Sequence, residues 1–294
     1  MIRNAFTVDV EDYFQVAALA PAVSRDTWVT REYRCERNTD RILELLARCG
    51  VSGTFFVLGW IAERSPGLVR RIADAGHEIA SHGMLHREVF DQSPTEFREE
   101  TFRAKALLED LTGRRVRGYR AASFSITARS LWALDVLLDA GFDYDSSIFP
   151  IRHDRYGMPG ADREPGVVAA PSGRPIVEFP MSTARLLGRN LPVSGGGYFR
   201  ILPYWLVKRG LLQRAGDGRP FVFYLHPWEV DPGQPRVEVN WFSRFRHYTN
   251  LDACEAKLDT LLSEFRFAPM ECVLADLGLV SAPAPAPAAR RSAA

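Results

Sequence analysis

The chain reads as an α/β protein built on a parallel sheet, either an open wound sheet or a barrel. Two observations carry this. Short β-rich apolar runs alternate with amphipathic stretches along most of the sequence, and repeated strand–helix units build parallel sheets. Four of the apolar runs also end in acids, histidines or an arginine, the end of the strands at which parallel-sheet folds place their sites. A length of 294 residues, 46% hydrophobic and 25% charged, suits a soluble globular chain of one large domain or two small ones.

Taken in order, Ala5 to Val10 forms a first strand. In "NTDRILELLARCGV" Asn38 or Thr39 serves as N-cap, apolar residues follow at helical spacing, and Gly50 ends the helix. "GTFFVLG" is β-rich, and "SPGLVRRIADAGH" is a helix with Pro66 in its first turn and Gly76 at its end. "HEIASH" is the next strand, and a long amphipathic helix capped by Ser93 follows it. A strand near Val116 to Tyr119, a helix from Thr127 to Ala140 and a short strand at Asp143 to Asp145 continue the alternation. The stretch 151–174, rich in Gly, Pro and charge, reads as loop. "PIVEFPM" and "RPFVFYLH" are later strands around a helix near Pro203 to Gln213. "NLDACEAKLDTLLSEF" is a last long helix, "FAPMECVLADL" a final strand or turn, and the Pro/Ala stretch after residue 281 is expected to be disordered.

Charge and composition narrow the functions. A net charge of +1 gives no overall field for nucleic acid. No apolar run approaches a membrane span, and the opening "MIRNAFTVDV" lacks the apolar core of a signal peptide, so a cytoplasmic protein is expected. Cys35, Cys49, Cys254 and Cys272 form no CxxC pair and read as small buried hydrophobes.

The polar strand ends carry the chemistry. "TVDVEDYF" sets Asp9, Glu11 and Asp12 behind an apolar strand, and isolated carboxylates are costly to bury. "HEIASHGMLH" holds three of the six histidines, and His82 and His86 have the four-residue spacing that lets two imidazoles meet one ion in a helix. Arg120 stands where a strand ends in "GYRAASFSI", and "FVFYLHPWEVD" delivers His226 at a strand tip closed by Pro227. Two histidines and a carboxylate suit a divalent metal with an open position. A second carboxylate would take a proton from water, Arg120 would keep that carboxylate ionised, and His226 would protonate the leaving group. The set points to metal-assisted hydrolysis of an amide or ester.

These stretches, from about Phe6 to Asp231, resemble the polysaccharide deacetylase family (carbohydrate esterase family 4, NodB-like) in five motifs in the family's order. The resemblance implies a distorted (β/α) barrel of seven or eight parallel strands, zinc or a similar divalent ion, and an N-acetylated glycan as substrate. It implies Asp9 as base, His82 and His86 as metal ligands with Glu11 or Asp12, Arg120 holding the base, Asp145 in "FDYDSS" orienting the catalytic histidine, and His226 as acid. Phe124 and Trp228, inside the third and fifth motifs, are candidate substrate contacts, as is Tyr198 in "GGGYFR", a glycine-rich stretch that reads as a backbone approach to sugar or as a connector.

Val10 interrupts the family's adjacent acidic pair. If the strand persists, Asp9 and Glu11 share a face; if the chain turns after Val10, Asp12 swings inward instead. "DVEDYFQV", "GGGYFRILPY", "LHPWEVDP" and "RFRHYTNL" further resemble the exosortase- and exopolysaccharide-associated subgroup, implying a barrel over 1–231 and a C-terminal extension over 232–280 packed on it. A related amidohydrolase acting on a small cyclic amide or formamido sugar, and a non-catalytic carbohydrate-binding relative, are the competing readings.

Overall fold

The apolar runs at Ala5–Val10, Thr54–Val57, Glu78–Ser81 and Val222–Leu225 become strands whose two faces have different partners. The computed structural model describes residues 2–153 and 155–283; the expected tail lies outside the described residues from 284 onward. The strands are β1 (Asn4–Val10), β2 (Thr54–Val57), β3 (Glu78–Ser81), β4 (Gly118–Tyr119), β5 (Tyr144–Asp145), β6 (Gly166–Ala169), β7 (Pro175–Glu178), β8 (Thr183–Leu186), β9 (Arg189–Pro192), β10 (Val222–Leu225) and β11 (Phe267–Ala268). The helices are α1 (Cys35–Cys49), α2 (Gly59–Arg64), α3 (Pro66–Asp74), α4 (Pro94–Thr112), α5 (Ala133–Asp139), α6 (Gly196–Ile201), α7 (Tyr204–Gly216), α8 (Trp241–Tyr248), α9 (Cys254–Glu264) and α10 (Met270–Asp276). None is long and apolar enough to cross a membrane among the described residues.

The main sheet has nine strands in the order β10-β1-β2-β3-β4-β5-β7-β6, with β11 also paired to β1. Eight run parallel and curl into a half-barrel; β6 is antiparallel to β7. Residues alternate across the sheet, as a period of two requires. Phe6, Val8 and Val10 of β1 and Phe55 and Val57 of β2 pack outward with Ile42, Leu46 and Leu68 of the helices. Ala5, Phe56, Ala80, Tyr144, Val177 and Val222 face the interior, where Met270, Val273 and Leu274 of α10 join them. The segment 232–280 is therefore tied to the first strand through β11 and to the barrel interior through α10.

Four expectations are corrected. The last stretch, expected as a strand or turn, is the two-residue β11 followed by helix α10. Helix α1 starts at Cys35, before Asn38 and Thr39, both of which lie buried inside it. Its cap comes from far away: Asp12 Oδ2 accepts the backbone N–H of Arg34 at 2.6 Å and of Cys35 at 2.8 Å. Helix α5 begins only at Ala133, because a turn precedes it in which Thr127 N donates to Ser130 Oγ and Ser130 Oγ to Ser125 O. The expected loop 151–174 contains β6, which forms a hairpin with β7 around Gly173 at φ 84°. Ser93 caps α4 with a reciprocal bond to Glu96, and Gly50 ends α1 in the left-handed region, as expected. Cys35 and Cys254 are buried, Cys49 and Cys272 half-buried, and all four are free thiols.

Candidate active site

The inward face of β1 continues past the strand's end: Thr7, Asp9 and Glu11 alternate with the outward Val8 and Val10. Asp9 is buried, and Arg120 Nη1 donates to its Oδ1 at 2.7 Å. The same Nη1 donates to Thr7 Oγ1 at 2.7 Å, Nη2 to Ser146 Oγ at 3.0 Å and Nε to Ser146 O at 3.2 Å. The guanidinium lies 4.1 Å from the centre of the Phe56 ring, so a wholly buried cation is held on all sides.

Glu11, His82 and His86 bring one ligand atom each within 4.8 Å of one another, and all three are buried. The two histidines do not converge through a helix. His82 extends the inward alternation of β3, and His86 reaches back from a loop with φ 49°, a left-handed conformation rare outside glycine. His82 Nδ1 meets Arg120 O at 2.8 Å; since a carbonyl only accepts, Nδ1 carries the proton and Nε2 offers its lone pair. Burial pulls the His82 imidazole down to about 4, which keeps it neutral as a ligand must be.

Burial pushes the Glu11 carboxyl up, but His86, His226 and His82 outweigh it and bring it down to about 2. Its Oε1 accepts from Trp228 Nε1 at 3.2 Å. Oε2 lies 2.7 Å from His86 Nε2 without the alignment of a hydrogen bond, and so has no hydrogen-bond partner among the described residues. A buried carboxylate oxygen lacking a donor, beside two imidazoles, fits a divalent cation with an N,N,O donor set such as zinc.

His226 sits opposite, with Nε2 3.9 Å from Asp9 Oδ2 and 3.5 Å from Glu11 Oε1. Its Nδ1 is 2.7 Å from Glu229 Oε1, and the other oxygen of Glu229 receives Arg200 Nε at 2.6 Å. Burial lowers the affinity of His226 for a proton, but Glu11, Glu229 and Asp9 overcome it and raise the imidazole to about 9. The Trp228 ring stacks on His226 with centroids 5.2 Å apart, and His247 stacks on Trp228 at 4.2 Å.

Several sequence-based assignments change. Asp12 is not among the converging donors. Its side chain points away, where the N–H groups of Tyr13, Arg34 and Cys35 occupy it. Asp145 does not orient His226: Tyr144 faces the interior, so its neighbour Asp145 faces outward, against Ser147 Oγ at 2.5 Å and opposite Glu178 in register. Burial pushes Asp145 up to about 6. Glu229 holds the imidazole instead, and Glu229 and Arg200 are the two residues the sequence reading missed. The available signal was the three-residue spacing of Glu229 from His226 inside "HPWE". His77 lies before β3, at the far end of the strand from His82, with Nδ1 accepting from Gly53 N at 3.1 Å. In "GGGYFR", Gly195 and Gly196 adopt φ 133° and 56° where a Cβ would strike Tyr224, so these glycines serve the approach to β10 before α6 begins. Phe124 and Trp228 line the cavity over the Glu11–His82–His86 cluster, and Tyr198 lines the adjoining groove.

Residues 24–144 match the family model described as polysaccharide deacetylase, and residues 146–275 match a second described as a domain of unknown function, DUF3473. A peptidoglycan-N-acetylglucosamine deacetylase of Bacillus cereus is 36% identical over 75 residues, 26% of this chain and 27% of that protein. A chitooligosaccharide deacetylase of a Bradyrhizobium species is 30% identical over 99 residues, 34% of this chain and 43% of that protein. The chain thus matches less than half the length of either relative. In structure, a candidate polysaccharide deacetylase of Mycobacterium smegmatis superposes with a TM-score of 0.62 at 20% identity, covering 97% of this chain and 94% of that one, which shows the fold. Over residues 24–144 the chain is thus similar to the polysaccharide deacetylase family, and over 97% of its length it shares the fold of the Mycobacterium smegmatis protein.

Proposed function

We propose that the chain is a metal-dependent hydrolase that removes N-acetyl groups from amino sugars of a bacterial exopolysaccharide or its precursor. The convergence of Glu11, His82 and His86 beside Asp9 and His226 is the observation that supports this most directly. Zinc is the ion best suited to two imidazoles and one carboxylate. When bound, such an ion supplies Lewis-acid polarisation of the acyl carbonyl. Arg120 donates to Asp9 and fixes its carboxylate, and Asp9 takes a proton from the attacking water. His226, whose imidazolium Glu11, Glu229 and Asp9 favour and whose ring Glu229 orients, gives its proton to the leaving nitrogen. Trp228 sets the plane of His226 and donates to Glu11, so one indole orients both the acid and the ligand carboxylate. The exopolysaccharide assignment is supported by the wording of "DVEDYFQV" and "LHPWEVDP".

The test is acetate release from N-acetylglucosamine oligomers by protein loaded with zinc. Release that chelation and Asp9→Asn both abolish is expected. Turnover of ureides or formamido sugars without acetate release overturns the reading in favour of the cyclic-amide amidohydrolase. Glycan binding with no turnover that Asp9→Asn changes overturns it in favour of a binding protein.

A further inference from the structure

The cavity over the Glu11–His82–His86 cluster, about 140 Å³, adjoins a groove of about 680 Å³, and the two share Ser123, Tyr156, Tyr224, His226 and Trp228 as walls. The groove lies within the range of about 300–1,000 Å³ usual for ligand pockets. Arg152, Arg155, Arg200 and Arg246 line it, and among the described residues no aspartate or glutamate does. Two of these cations are already neutralised. Arg200 is buried and pairs with Glu229 at 2.6 Å, and Arg155 pairs with Glu88 at 2.8 Å. Arg246 and Arg152 have no ion-pair partner among the described residues.

Arg246 is also positioned. Its backbone carbonyl receives Arg200 Nη2 at 2.8 Å, its guanidinium lies 5.3 Å from the centre of the Phe242 ring, and its Nη2 meets His153 Nε2 at 3.2 Å. The chain as a whole carries a net charge of only +1, so this excess is local to the groove. Tyr198, Phe242 and Trp228 add aromatic faces to the same walls, which suit the apolar faces of sugar rings. A neutral oligomer offers these two arginines only hydroxyl and amide oxygens, which accept weaker hydrogen bonds. A carboxylate or phosphate gains charge-assisted, potentially bidentate hydrogen bonds.

We infer that the groove selects anionic glycans: the N-acetyl sugar at the cluster carries, on a neighbouring unit or substituent, a carboxylate or phosphate that Arg246 and Arg152 receive. This rests on the deacetylase reading and names the substrate class for it.

The experiment compares acetate release by zinc-loaded protein from a neutral N-acetylglucosamine tetramer and from a tetramer alternating N-acetylglucosamine with glucuronate. A second arm compares N-acetylglucosamine 1-phosphate with its methyl glycoside, and distinguishes phosphate from carboxylate as the anion. Calorimetry on the same protein reads binding of a glucuronate tetramer, which has no acetamide to hydrolyse, and of the 1-phosphate.

Expected is a kcat/KM about tenfold higher for one of the anionic substrates, the scale of one charge-assisted hydrogen bond. High salt erodes the preference. It falls about tenfold in Arg246→Gln and also declines in Arg152→Gln, whose residue is exposed, while Arg48→Gln on the outer surface of α1 retains it. Equal kcat/KM on neutral and both anionic substrates overturns the inference, as does a preference that both groove variants leave intact. No acetate from any glycan, with binding of an anion that Arg246→Gln weakens, removes the deacetylase reading and leaves the anion groove standing. No release and no binding of either anion removes both.

Discussion

Glu229 Oε1 lies 2.7 Å from Nδ1 of His226, and this pair orients an imidazole that faces Asp9 across the site. Arg200 Nε holds the other oxygen of Glu229 at 2.6 Å, so the carboxylate cannot turn away. Glu229→Gln keeps the shape but removes one of the charges that favour the imidazolium, beside Glu11 and Asp9. We expect kcat for acetate release to fall about 10- to 100-fold, part of the roughly 10²–10⁴ a general acid contributes. Zinc content measured after dialysis should stay stoichiometric, because none of the candidate ligands is touched. Metal loss in Glu229→Gln would place Glu229 in the metal centre and count against its role beside the acid.

Glu11 and Asp12 are neighbours with opposite tasks, and substitution separates them. Glu11→Ala and His82→Ala each remove a donor from the buried cluster, so both should lose bound zinc. Asp12→Ala should keep zinc but destabilise the fold. Its carboxylate accepts from three backbone N–H groups, two of them at the start of α1. Losing a helix cap that also satisfies buried donors costs roughly 2 kcal/mol or more, read from urea unfolding. Stoichiometric zinc in His82→Ala, or zinc loss in Asp12→Ala with a folded protein, would reverse the assignment.

What the sequence disclosed of this site follows from period-two alternation. Asp9 and Glu11 share a face with Ala5 and Thr7, and His226 shares one with Val222 and Tyr224, so strand reading alone aims them into the barrel. The same rule, carried back from Tyr144, turns Asp145 outward, a step that a motif resemblance does not include. Partners joined by tertiary contact were not legible. Arg200 and Glu229 are 29 residues apart, and Asp12 caps a helix start 22 residues on. No local spacing records either. The start of α1 was misplaced for this reason, since its cap is supplied by β1's own exit and not by the residues before the helix.

Arg120 and Asp9 form an ion pair at 2.7 Å with both side chains essentially sealed from water. Breaking such a pair leaves one charge buried and uncompensated, at about 3–5 kcal/mol. Arg120→Met should therefore lower unfolding free energy by about that much, and the double variant with Asp9→Asn should recover a substantial part. The double-mutant cycle isolates the coupling from the separate loss of the hydrogen bonds to Thr7 and Ser146. Additive effects in the cycle would mean that the pair adds no stability of its own.

His77, though close in sequence to the site histidines, should govern acid stability and not catalysis. It is buried against Phe55, its Nδ1 accepts the Gly53 N–H, and burial pulls it down to about 4 from its ordinary 6.5. The folded state therefore resists protonation that the unfolded chain accepts. The stability this residue contributes is whole above about pH 6.5 and is lost as pH falls toward about 4, because the unfolded state binds the proton first across that window. Between pH 7.5 and pH 5 the difference amounts to about 2 kcal/mol. His77→Asn retains an acceptor for Gly53 but cannot titrate, so its urea-unfolding free energy should fall less over that interval, by about the same amount. An identical pH dependence in wild type and variant would show that His77 binds its proton equally well in the folded and unfolded chain.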